Sequence, residues 1–183
     1  MSDSTVAYPH LTADEAMLSV AALQEVYAAV FSLPPYHEGP EMVDKFADWL
    51  RDESKLPGFD LVEARYGRDT VGFAYGFTKP AGIWWERTDR PAPPEVVDVD
   101  QFAVMEWAVL PAYRGAGMGR RLMDELLFDR PERYATLLVN PAAEARGIYL
   151  RWGWRHVAST KAGRLPAMHV LLTPITAQQR PDE

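Results

Sequence analysis

Apolar positions repeat at two different periods along this chain, and the switch between them marks its elements. Leu23, Val26, Tyr27, Val30 and Phe31 fall three and four residues apart, one face of a helix. Thr12 and Glu15 carry a capping-box signature ahead of it, and Pro34 and Pro35 end it. Met42, Val43, Phe46, Trp49 and Leu50 place a second helix, with all five on one side. From residue 59 the pattern turns to β-branched and aromatic residues, and 59–66 and 70–77, parted by a Gly67-Arg68-Asp69 turn, predict a hairpin. Residues 79–100 hold Trp84, Trp85 and several prolines in no period; a loop that long is expected to cover a site. An apolar run from Phe102 to Leu110 then meets a glycine-rich turn and a stripe of Leu122, Leu126 and Leu127. A buried-type strand at 134–140, a helix at 142–152 and closing strands at 154–159 and 167–172 complete the order. Without internal repeats or a linker, it predicts one α/β domain over 1–183, a sheet of mixed direction flanked by helices, and a mobile tail at 177–183.

The glycine-rich turn carries the most chemistry. Gly115, Gly117 and Gly119 let successive backbone amides point into one concavity, and the following helix adds the positive end of its dipole, an arrangement suited to a phosphate or pyrophosphate. Two common phosphate motifs do not fit. A P-loop requires Lys and then Ser or Thr after its last glycine, where this chain has Arg120 and Arg121. A dinucleotide fingerprint requires Gly-x-Gly-x-x-Gly near the start of a βαβ unit, and this turn reads Gly-x-Gly-x-Gly deep in the chain.

Composition narrows the chemistry further. At 183 residues and 48% hydrophobic the chain can bury a core unaided, and it has no cysteine, hence no disulfide, thiol nucleophile or thiolate-held metal. No apolar run approaches the length of a membrane span and the N-terminus does not read as a secretion signal, so a cytoplasmic protein without membrane partner is expected. The charge is uneven: residues 1–110 hold 19 acids and 8 bases, a net of −11, whereas 111–183 hold 7 acids and 11 bases, a net of +4. The acidic total argues against nucleic acid, and the acidic half suits a cationic acceptor.

With Arg114, Gly117 and Gly119 in an Arg-x-x-Gly-x-Gly spacing, a strand reading Glu-Trp-Ala-Val-Leu-Pro before it, and Tyr149 four residues ahead of Gly153 and Trp154, the chain resembles the GNAT superfamily of N-acetyltransferases from about Phe102 to Val157. The resemblance implies a mostly antiparallel sheet whose central strands splay to admit the pantetheine arm of acetyl-CoA. It implies that Ala108 and Val109 pair with the pantetheine amides and that the segment Arg114, Gly115, Ala116, Gly117, Met118, Gly119 and Arg120 holds the pyrophosphate. Relatives often carry an asparagine seven residues before the helix tyrosine; Ala142 stands there, with Asn140 nearby as a candidate substitute. Tyr149 is implied as the acid that protonates the coenzyme sulfur, its alternative being a core tyrosine. Glu106 is the candidate base, acting directly, through a water, or only by positioning the amine. His37, Trp84 and Trp85 are candidate acceptor contacts; none of the four histidines has metal-ligand spacing, and no metal is expected. Direct transfer to the primary amine of a small molecule, by a monomer or homodimer, is the expected activity, against a protein N-acetyltransferase or a noncatalytic CoA-binding module of the same fold.

Overall fold

The computed structural model describes residues 5–163 and 166–176, so the expected tail at 177–183 lies outside the described residues. The capping box forms: the amide and hydroxyl of Thr12 each donate to the Glu15 carboxylate at 2.8 Å, and the Glu15 amide donates back at 3.4 Å. It opens α1 (Ala13–Leu18), which passes through Ser19 into α2 (Val20–Phe31), where all five residues of the apolar stripe are buried. In α3 (Pro40–Glu53) Phe46 and Leu50 are buried, but Trp49 is 40% exposed and leaves the expected stripe. It lies about 100° round the helix from Leu50, past the edge of the buried seam.

The hairpin forms as β3 (Asp60–Tyr66) and β4 (Asp69–Lys79), joined by β5 (Gln101–Val109), β6 (Tyr134–Val139), β7 (Arg155–Ser159) and β8 (His169–Pro174). Two strands of two residues each, β1 (Val6–Ala7) and β2 (His10–Leu11), pair antiparallel with β3 and are too short to show a period in the sequence. The sheet order is β1-β3-β4-β5-β6-β8-β7, with β2 also on β3. β5 and β6 run parallel, registered over Phe102–Val104 and Ala135–Leu137, while β3–β4, β6–β8 and β7–β8 are antiparallel. Helices α4 (Pro94–Val97), α5 (Met118–Leu126) and α6 (Glu144–Arg151) complete the order.

The chain divides into two compact units, 1–77 with 105–128 and 78–104 with 129–183. Leu23, Tyr27, Phe46, Leu50, Phe73, Tyr75 and Ala108 are among the core residues of the first. Val96, Val157, Ala158, Val170 and Leu172 form the core of the second, with Trp84 and Trp85 packed against it.

Candidate active site

In the first unit the second half of β5 is the platform. Alternation puts Glu106 and Ala108 on one face of the strand. Ala108 packs in the cluster that holds Tyr27, Phe46 and Tyr75, so Glu106 is presented to the α2 and α3 side. Its carboxylate accepts no hydrogen bond from a described residue, and loss of water together with the negative charges of Glu38 and Glu53 raises its pKa well above the ordinary 4.5. Each of those two neighbours is held by a tyrosine: Tyr27 donates to Glu38 at 2.5 Å and Tyr75 to Glu53 at 2.7 Å. Burial raises both carboxyls, against the lowering effect of those hydrogen bonds. Tyr27 itself packs against the rings of Phe31 and Phe46, each with its centroid 4.5 Å away. Sequence reasoning placed Tyr27 only as a member of an apolar stripe; the overlooked signal is a hydroxyl at a position where Phe would pack equally well, because a buried phenol needs a partner.

The turn after β5 is built by three different constraints. The Leu110 amide donates to the Val71 carbonyl at 2.9 Å, and a Cβ on Gly72 would come within 2.8 Å of the Ala108 carbonyl oxygen, so Ala108 turns its carbonyl toward β4. Val109, of opposite phase, has its carbonyl oxygen 3.0 Å from Arg114 Nε, which donates to it. The Arg114 amide closes a 3-10 turn onto Pro111 at 3.3 Å and is engaged there rather than aimed into the turn. Gly115 and Gly117 take φ of 84° and 81°, the left-handed region that disfavours side chains, and Gly117 is the residue that caps the start of α5. Gly119 serves packing instead. A Cβ there would lie 2.5 Å from the Trp107 ring, whose indole nitrogen donates to the Gly119 carbonyl at 2.9 Å. The first return bond of α5 runs from the Arg121 amide to the Gly117 carbonyl at 3.0 Å, so the amides of Met118, Gly119 and Arg120 lie ahead of it, at the positive end of the helix dipole. Ala116 is exposed ahead of them, the Met118 side chain is buried, and Arg120 Nε pairs with Asp124 at 2.8 Å.

The second unit holds the other candidates. Tyr149 is buried on α6, with ring centroids 5.9 Å from Trp152 and 5.6 Å from Trp154. The Asn140 side-chain oxygen accepts from the Ala142 amide at 2.9 Å, so this residue shapes the entry to α6. Trp84 and Trp85 pack on the core of this unit, and Lys79 lays its ammonium 3.9 Å from the Trp85 ring centre, while burial pulls the Lys79 pKa down to about 8. The long loop is thus part of a core, and the Trp85 face already meets a cation of the chain itself. In the first unit His37 is exposed with φ of 51°, and its neighbour Glu38 is the residue that turns inward to Tyr27. His10 pairs with Asp60 at 2.9 Å, and His156 stacks on His169 at 4.0 Å; among the described residues no three His, Asp or Glu side chains are placed to hold a metal.

A family model for the acetyltransferase (GNAT) domain matches residues 97–164. A putative acetyltransferase of the GNAT family from Desulfovibrio desulfuricans superposes with a TM-score of 0.66 at 18% identity, over 94% of this chain and 100% of its own. The chain has the GNAT acetyltransferase fold. An acetyltransferase from Thermus thermophilus has a TM-score of 0.63 at 17% identity, over 93% of this chain and 97% of its own. The PaiA N-acetyltransferase of Thermoplasma acidophilum, solved with coenzyme A, has a TM-score of 0.61 at 11% identity, over 93% and 99%. No curated protein matches the chain in sequence. The segment matched by the GNAT domain spans β5, the turn, α5, β6, α6 and β7 and contains both Glu106 and Tyr149, whereas Tyr27, Glu38, Glu53 and Tyr75 precede it. Among the described residues, no helix of this GNAT-fold chain is long and apolar enough to cross a membrane.

Proposed function

We propose that the protein is an N-acetyltransferase that moves the acetyl group of acetyl-CoA directly to the primary amine of a small molecule within a ternary complex. The observation that carries this reading is the passage from β5 into α5. Two left-handed glycines lead into helix-start amides that precede the first return bond of the helix, a geometry that fits a pyrophosphate. In this reading the amides of Met118, Gly119 and Arg120 hold the pyrophosphate, and Val109, with its carbonyl on the edge away from β4, meets the pantetheine arm. Acetyl-CoA, when bound, supplies a thioester carbonyl open to attack. The chain has no cysteine to carry an acyl thioester of its own, which favours direct transfer.

An alkylammonium is neutral in only about one molecule in two thousand at pH 7, so the acceptor must lose a proton before it can attack. Glu106, partly buried and set among like charges, is suited to take that proton, directly or through a water. As the carbon–nitrogen bond forms and the carbon–sulfur bond breaks, the departing sulfur gains a proton, and we assign that donation to the Tyr149 hydroxyl. The Thermoplasma acidophilum relative, solved with coenzyme A, supports the choice of donor. Isothermal calorimetry with acetyl-CoA, followed by CoA release over a panel of amines, amino acids and peptides, tests the proposal. Absence of acetyl-CoA binding would overturn it, and turnover confined to peptides would move the acceptor from a small molecule to a protein.

A further inference from the structure

Alternation sorts the second half of β5 onto two faces. Glu106 and Ala108 face the α2 and α3 side, so Trp107 and Val109 face α5. Two glycines let α5 approach closely on that face. A Cβ on Gly72 of β4 would lie 3.2 Å from both Leu122 Cδ1 and Val109 Cγ2, and a Cβ on Gly119 of α5 itself would lie 2.5 Å from the Trp107 ring. Across that second approach the Trp107 indole nitrogen donates to the Gly119 carbonyl at 2.9 Å.

This bond meets the helix where its own backbone holds it least. The amides of Met118, Gly119 and Arg120 precede the first return bond, which runs from the Arg121 amide to the Gly117 carbonyl at 3.0 Å. Gly117 caps the helix and has no side chain to accept from them. Gly115, Gly117 and Gly119 fall close together, and glycine gives up the most backbone freedom when its conformation is fixed. A turn of this composition leaves its amides free for an anion but pays in ordering when it binds one. A hydrogen bond to the first helical turn from a partly buried ring on β5 supplies part of that order beforehand.

We propose that Trp107 is a positioning residue for the acyl donor: its indole, bonded to the Gly119 carbonyl, holds the amides of Met118, Gly119 and Arg120 in the arrangement that takes the pyrophosphate. This rests on the reading of that turn as the pyrophosphate site. Trp107 acts through the backbone of α5 and need not touch the coenzyme.

Trp107→Phe tests the idea, because it keeps an aromatic ring on that face of β5 and removes the indole N–H. In the folded variant, checked by circular dichroism and melting, acetyl-CoA should bind about 3- to 10-fold more weakly by calorimetry, the effect of one lost hydrogen bond. S-acetylpantetheine has the thioester and the pantetheine arm but no pyrophosphate. It should bind wild type and variant equally by ligand-observed NMR, so that the preference for the full coenzyme narrows. Gly119→Ala drives a Cβ into the same indole and should narrow that preference too, which keeps the test open if Trp107→Phe does not fold. Unchanged acetyl-CoA affinity in folded Trp107→Phe, or an equal loss for S-acetylpantetheine, overturns the proposal. Wild-type protein that binds S-acetylpantetheine as tightly as acetyl-CoA would instead show that the turn holds no pyrophosphate, and the positioning role falls with that reading.

Discussion

Glu106 is expected to cost stability as well as to serve chemistry. A carboxyl whose pKa is raised on folding binds its proton more tightly folded than unfolded, so its contribution is favourable below the unfolded value and is lost as pH rises through the folded value. Glu106→Gln should therefore melt higher than wild type at pH 7, with the difference closing as pH falls toward the ordinary value of 4.5. The same substitution should lower turnover by about 10²- to 10⁴-fold if the carboxylate is the base. Scanning calorimetry across pH and steady-state kinetics report the two effects separately. Tyr149→Phe preserves the packing against Trp152 and Trp154 and removes the proposed acid; turnover should fall by roughly 10- to 1000-fold with little change in coenzyme affinity. Wild-type turnover under conditions where chemistry limits the rate would reduce Tyr149 to a core residue.

The turn after β5 separates two kinds of glycine that look alike in sequence. Gly119 lies under the Trp107 ring, so Gly119→Ala forces a Cβ into the indole and should cost about 1–3 kcal/mol by denaturant titration. Apart from its two chain neighbours, Gly117 has no described protein atom within 4 Å of where its Cβ would be, and its requirement comes from φ, worth about 1–2 kcal/mol. Gly117→Glu adds bulk and negative charge where the pyrophosphate is proposed to bind and should abolish acetyl-CoA binding. Gly117→Ala, sharing the backbone strain, supplies the control. Unchanged coenzyme affinity in Gly117→Glu by calorimetry would remove the nest from the donor site.

For the molecule as a whole, the charge asymmetry makes a prediction about acceptors. The net of −11 over residues 1–110 belongs to the stretch that contributes Glu38, Glu53 and Glu106. Primary amines without a carboxylate should outcompete free amino acids, and their advantage should shrink as salt screens the long-range part of the attraction. Specificity constants measured at low and high ionic strength check this; amino acids ranking first at every salt concentration would show the acids to be surface solvation alone.

Period and spacing alone were enough for the capping box, the α2 stripe, the hairpin and the strand-turn-helix at Phe102–Leu127, because each is a local pattern in which every residue votes for the same element. The GNAT resemblance was likewise legible in Arg114, Gly117, Gly119 and Tyr149, because it is carried by their spacing along the chain. What required the tertiary structure is whatever depends on residues distant in sequence. Trp49 fits a stripe by count and is exposed by geometry, while β1 and β2 exist only because β3 offers an edge. The long loop is a piece of core because Val96 and the two tryptophans meet strands some sixty residues later. Most of all, nothing in the order of the chain joins Tyr27 to Glu38, Tyr75 to Glu53, or either carboxylate to Glu106; electrostatic coupling falls off with distance in space, and only folding sets that distance.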